Sequence, residues 1–263
     1  MLKIMKELGL FLLLLLLVTA DEARSSDPAN GEVPPAEVRE VYGNGRLFDI
    51  THRLKPDLPK FDSTGGIGQL YTLVQSIKNG SSYNEGEINR LLTHTGTHVD
   101  TPGHFYQKYF EAGYTIESLD LDVLNGPALL IDVPRDSNIT AKVMESLQIP
   151  KGTRRVLFRT LNTDRRLMYQ TNYDSSYVGF MTDGAQWLVD NTDIKLVGVD
   201  YLSVAAFVDL VPTHLALLKN REIIIVEGMK LDDIEAGQYV VNCLPIRLVG
   251  ADGGPTRCIL VKN

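Results

Sequence analysis

The stretch Leu92-Thr93-His94-Thr95-Gly96-Thr97-His98-Val99-Asp100-Thr101-Pro102-Gly103-His104 holds three of the five histidines in a chain of 263 residues. His94 and His98 are four apart, a spacing that on a helix puts two side chains on one face. Gly96, Pro102 and the β-branched residues Thr93, Thr95, Thr97, Val99 and Thr101 oppose a helix here. An extended chain alternates its side chains between two faces. That reading predicts His94, Gly96, His98 and Asp100 on one side, with Gly96 leaving space for an ion between the two imidazoles. Two neutral imidazoles and a carboxylate form a mixed nitrogen and oxygen donor set suited to Zn²⁺, Mn²⁺ or Fe²⁺. Pro102-Gly103 turns the chain and brings His104 back to the same spot. An imidazole that binds no metal, beside a water that does, is suited to act first as general base and then as general acid.

Outward from this segment, short apolar runs bounded by turn residues predict strands at Pro127 to Val133, Val156 to Thr160, Leu196 to Val199 and Ile223 to Val226. One helix is predicted after Asn138 or Thr140, through Lys142 to Leu147, and Pro150 ends it. A second follows Thr182 or Asp183, with Gln186 placed as in a capping box and Trp187 turned inward. A third runs from His214 to Lys219 after Pro212. Tyr239 to Val249 and Arg257 to Val261 read as a hairpin with a long loop. The class is α/β or α+β with a mixed sheet, in one domain over residues 46–263.

The ends and the composition set further bounds. Lys3 and Lys6, the apolar run Leu8 to Val18 and the small residues Val18-Thr19-Ala20 have the order of a secretory signal peptide over residues 1–20. The run is much shorter than the ~20 residues that span a bilayer. Residues 21–45, rich in Glu, Ser and Pro, read as a flexible leader. No membrane attachment is expected after signal cleavage. The net charge of −7 argues against a nucleic-acid partner, which would call for clustered Lys and Arg. Two cysteines exclude a disulfide framework and a four-thiolate zinc module. Outside the cell Cys243 and Cys258 could pair, or stay as buried thiols. Asn79-Gly80-Ser81 and Asn138-Ile139-Thr140 are glycan acceptor patterns. The chain carries no H-E-x-x-H zinc-protease motif, nucleophile elbow or phosphate loop.

His94-Thr95-Gly96-Thr97-His98-Val99-Asp100-Thr101-Pro102-Gly103-His104 resembles the signature HxGTHxDxPxH of the cyclase family, which includes bacterial kynurenine formamidase, isatin hydrolase and secreted cyclase-like proteins of plants. Phe48 to His52 is similar to the family's opening strand, and Gly179 to Val189 to its GxxxEAAxWLV stretch. Gly198-Val199-Asp200 with Ser203, then His214, then Ile224 to Gly228 are similar to its later metal-binding half. The signal and the tail Asp252-Gly253-Gly254-Pro255 resemble the plant branch. The resemblance implies a swivelling β/β/α-type fold in a homo-oligomer. It implies His94, His98, Asp100, His214 and Glu227 as metal ligands for one or two Zn²⁺ or Mn²⁺ ions, and His104 as the acid/base residue. His52 matches no ligand position and reads as structural; Asp200 reads either as a residue that orients a ligand imidazole or as a strand-end cap. The formamidases carry a Trp after the opening strand, whereas Leu58-Pro59-Lys60-Phe61-Asp62-Ser63 has none.

Two functions are expected from these residues. The first is a secreted metal-dependent hydrolase of an amide, formamide or lactam C–N bond in a small-molecule substrate. The second is an extracellular-matrix or apoplast protein of plant growth, stress or cell-death control, its metal centre kept for structure or partner binding.

Overall fold

The computed structural model describes Val33 and residues 35–262. The signal peptide expected over residues 1–20 lies outside the described residues, as does most of the leader. From Glu40 onward the chain forms one unit. Its strands, in chain order, are β1 (Val41–Tyr42), β2 (Leu47–Asp49), β3 (Tyr71–Gln75), β4 (Glu85–Ile88), β5 (His98–Asp100), β6 (Asn125–Asp132), β7 (Arg155–Arg159), β8 (Leu196–Val199), β9 (Ile224–Glu227), β10 (Gly237–Pro245) and β11 (Gly253–Val261).

The main sheet closes on itself. Its order β11-β10-β6-β7-β8-β9-β5 returns to β11, because β5 also pairs with β11. Strands β6 to β9 run parallel, and the remaining pairings are antiparallel. The sheet is therefore mixed, and it forms a barrel inside a single α/β domain. Strands β2 and β1 extend it from β11.

The apolar runs that mark β7 to β9 have two destinations. Leu157, Leu196, Ile224 and Val226 point into the barrel with Leu130, Val241 and Leu260. Val156, Phe158, Val197, Val199 and Ile225 point outward and pack against helix residues Val143, Met144, Leu188, Leu217 and Leu218. Burial on both faces explains why these strands read as continuous hydrophobic runs rather than as alternating ones.

The helices close the outer layer at Ala141–Ser146, Thr182–Asn191 and Leu210–Leu218. Thr140 caps the first, its hydroxyl accepting from the Val143 N–H. The predicted capping box of the second does not form. The Thr182 N–H is instead satisfied by Asp209 at 2.7 Å, from another loop. Gln186 turns to Asp190, and Asp183 accepts from the Ala141 N–H. The third helix starts at Leu210, before Pro212 rather than after it. A proline in the first turn costs nothing there, because that N–H has no partner within the helix.

Strands β10 and β11 form the predicted hairpin, and their register sets Cys243 opposite Cys258. The two are joined by a disulfide across a Cα separation of 4.2 Å. A separate hairpin of β3 and β4 is exposed along both strands.

Candidate metal centre

The barrel brings five distant side chains to one end. His98 and Asp100 lie two apart on β5 and share a face. Antiparallel pairing sets His98 opposite Glu227, the last residue of β9. His214 reaches in from the helix Leu210–Leu218. His94 arrives by a bend rather than along an extended strand. The predicted alternation holds only over 98–100, since Gly96 turns left-handed at φ +63°. A Cβ there would stand 2.7 Å from the Leu54 side chain, so Gly96 serves the bend and leaves no gap between imidazoles.

Two of the imidazoles have fixed tautomers. His98 donates its Nδ1–H to the Gly96 carbonyl at 2.9 Å, and His214 donates its Nδ1–H to the Leu210 carbonyl at 2.7 Å. A neutral ring so held turns an unprotonated Nε2 to the carboxylates; at His214 burial opposes a charge, but the Glu227 hydrogen bond outweighs it and raises the pKa. His98 Nε2 lies 3.3 Å from Glu227 Oε2 and 3.6 Å from Asp100 Oδ1. His214 Nε2 lies 3.4 Å from Glu227 Oε1 and 3.6 Å from Asp100 Oδ2. His94 Nδ1 is 2.8 Å from Asp100 Oδ1.

These are buried groups: His98, Asp100, His214 and Glu227 are each no more than 3% exposed. His98 Nε2 and Asp100 Oδ2 have no hydrogen-bond partner at all. Lone pairs converging on carboxylate oxygens in a dry interior are costly unless a cation sits between them. The residues therefore fit a divalent metal. Three ligand groups can be drawn among the described residues: His94 with His98 and Asp100, Asp100 with His214 and Glu227, and a more exposed one of His94, His104 and Asp252; Asp100 is common to the first two.

Without a cation, protons take over part of this balance. Burial opposes a charge on His94, but Asp100 and Asp252 outweigh burial and push its pKa up to about 10. Burial also opposes a charge on Asp100, yet His94 holds its carboxyl well below the usual range. The His104 and His94 hydrogen bonds likewise hold Asp252 low.

His104 is carried by the short helix Pro102–Phe105 and stacks on His94, with ring centroids 3.8 Å apart. It stands outside the two groups around Asp100 and joins only the more exposed one with His94 and Asp252. Its Nδ1 lies 3.0 Å from Asp252 Oδ2, and His94 Nε2 lies 2.9 Å from the same oxygen. Sequence reasoning assigned Asp252 no role. It stands 148 residues from His104, and only the paired glycines behind it marked a place where backbones approach closely.

Two other residues resolve differently. Asp200 accepts from the backbone N–H and hydroxyl groups of both Thr160 and Thr163, which makes it the cap of a loop after β7. His52 packs edge-on against Tyr169, and burial, with Lys230 and Lys55 nearby, lowers its pKa to about 3. Beside the centre, Leu58, Phe61, Met168, Tyr173, Tyr177 and Tyr201 form a cluster of their own.

The sequence model described as putative cyclase matches residues 48–206, more than half of the chain. The chain belongs to the cyclase family. It is 62% identical over 264 residues to cyclase-like protein 3 of Oryza sativa subsp. japonica, covering 96% of this chain and 97% of that one. Kynurenine formamidase of Bacillus mycoides (strain KBAB4) is 32% identical over 214 residues, covering 81% and 96%. Among solved structures, a predicted metal-dependent hydrolase from Bacillus stearothermophilus matches this cyclase-family chain at TM-score 0.67 and 29% identity, covering 82% and 97%. Isatin hydrolase A from Labrenzia aggregata matches in fold at TM-score 0.68 and 22% identity, covering 83% and 94%. The wider family thus includes hydrolases, while the plant relative carries only a cyclase-like name.

Proposed function

We propose that this chain is a metal-dependent hydrolase of an amide, formamide or lactam C–N bond. The observation that carries the reading is the set of imidazole nitrogens and buried carboxylates converging beside His104, with His98 Nε2 and Asp100 Oδ2 left unpartnered. His94, His98, Asp100, His214 and Glu227 would hold the ion or ions, with Zn²⁺ and Mn²⁺ both suited to these donors. The chemistry a divalent cation supplies when bound is Lewis acidity, which takes the pKa of water from roughly 15.7 towards ~7 and polarises a carbonyl. Asp100 and Glu227 neutralise the charge and keep the donors fixed. His104, partly exposed and held by Asp252, takes the proton from the attacking water through Nε2 and returns it to the leaving nitrogen. The Phe61 and Tyr173 rings, 4.8 Å apart, belong to an apolar wall suited to the rest of a substrate.

The test is turnover of a panel of aryl formamides and lactams after loading with Zn²⁺ or Mn²⁺. Hydrolysis that disappears in His104→Ala supports the reading. Full metal occupancy with no turnover of any member would favour the second reading, an extracellular plant protein whose centre is structural. The near-complete burial of four of the five donors is the observation that favours that alternative.

We also propose that the protein is secreted to the matrix or apoplast. The charged, apolar, small-residue order of residues 1–20 and the Cys243–Cys258 disulfide support this. Self-association is proposed as well, supported by the hairpin of β3 and β4, which leaves Tyr71, Leu73, Val74 and Ile88 exposed.

A further inference from the structure

We propose that Asp252 is a positioning residue that sets the tautomers of two imidazoles at once, making His94 a metal ligand through Nδ1 and leaving His104 a free Nε2. The proposal rests on the metal reading of the centre and adds a residue to it.

The geometry is specific. One oxygen, Asp252 Oδ2, lies 2.9 Å from His94 Nε2 and 3.0 Å from His104 Nδ1. A carboxylate oxygen only accepts, so each of these nitrogens carries the proton. A neutral imidazole has one N–H. His94 Nδ1 also faces a carboxylate, 2.8 Å from Asp100 Oδ1, so without a cation both nitrogens carry hydrogen; a cation taken up on the side where the other donors converge would displace the Nδ1 proton and leave the one on Nε2, held by Asp252. With its proton on Nδ1, His104 keeps a lone pair on Nε2 and can receive a proton there. His98 and His214 have their tautomers set by backbone carbonyls. Among the described residues no carbonyl accepts from the rings of His94 or His104; Asp252 does for both what a carbonyl does for each of the inner rings.

The residue is itself held on several sides. Its Oδ1 accepts from the Thr93 hydroxyl at 3.1 Å, beside His94. Its backbone carbonyl accepts from the Thr101 N–H at 3.2 Å and the Thr101 hydroxyl at 2.8 Å, just before the helix that carries His104. The next residue, Gly253, pairs with Asp100. A Cβ on Gly253 would stand 2.6 Å from His94 Cε1, so the chain is cut away there to admit the ring. Carboxylates that hold a metal-binding imidazole by its second nitrogen typically contribute a factor of about 10–100 to metal affinity.

The experiment uses the full chain with ¹⁵N-labelled histidine, loaded with zinc alone. Long-range ¹H–¹⁵N correlation spectra assign the protonated nitrogen of each ring. The expected result is His94 protonated on Nε2 with a metal-shifted Nδ1, and His104 protonated on Nδ1. In Asp252→Asn, chelator competition should show zinc held about 10–100-fold more weakly, and Asp252→Glu should restore part of the loss. Zinc bound by wild type with His94 protonated on Nδ1, with His104 protonated on Nε2, or with unchanged affinity in Asp252→Asn, overturns the proposal and leaves the metal reading standing. No zinc uptake by wild type overturns both. The wild-type spectrum decides the matter even if the variants fail to fold.

Discussion

The centre has an inner and an outer half, built by different means. Inside, His98, Asp100, His214 and Glu227 are almost fully buried, and backbone carbonyls orient the two imidazoles. Outside, the side chains of His94, His104 and Asp252 are 23%, 27% and 35% exposed, and carboxylate oxygens orient the rings. A carbonyl fixes a tautomer without adding charge, which suits a dry interior already crowded with carboxylates. A carboxylate can also stabilise a ring that gains a proton, which suits the acid/base role proposed for His104. The inner half is built to hold and the outer half to exchange.

The largest effect expected is on the inner half. Asp100→Ala removes the group common to both ligand sets, so elemental analysis should find metal at background. Retained metal would break the contrast outright. Next is the outer half. His104→Ala should keep its metal, while turnover of whichever substrate the panel identifies falls by roughly 10²–10⁴-fold. Loss of metal in this variant would make His104 a ligand and merge the two halves.

Metal removal is expected to matter next. A ligand present at 100 times its Kd stabilises by about 2.7 kcal/mol, so chelation should lower the thermal midpoint by a margin that grows with the metal concentration used as reference. The stripped protein also gains a pH slope. The raised pKa of His94 means that its stabilising contribution is complete below 6.5 and declines as pH rises to about 10. Urea unfolding at pH 7, 8 and 9 should show this decline in chelator and not with metal loaded. His52 has the opposite sign. Its folded pKa of about 3 means that the unfolded chain binds the extra proton between pH 6.5 and 3, so stability falls as pH drops through that window. His52→Phe should flatten that part of the curve. The smallest effect is a remote one. Thr140→Ala should cost about 1 kcal/mol by loss of the helix cap and change neither metal content nor turnover.

Much of this arrangement was legible in residues 92–104 and in the apolar runs. Strands β7 to β9 announce themselves because burial on both faces leaves their middles without polar residues. The family signature brought forward His214 and Glu227, which periodicity alone marks only as helix and strand residues. The bend at Gly96 was not legible, because a glycine among β-branched residues fits an extended chain as well as a left-handed turn, and Leu54, which packs where a Cβ would stand, comes from a distant part of the sequence. The cap from Asp209 and the tether from Asp252 were hidden for the same reason. Each joins segments whose meeting depends on how the barrel shuts, and no local pattern encodes that.

The ring is shut by β11, and synthesis reaches that strand after every other strand of the barrel. Until Asp252 and the residues behind it emerge from the ribosome, β5 and β10 have open edges, and His94 and His104 lack the carboxylate that ties them together. The Asp252 contacts and edge protection therefore arrive together, in one late step of biogenesis. A chain stalled or clipped ahead of residue 252 would be an aggregation hazard as well as an inert protein.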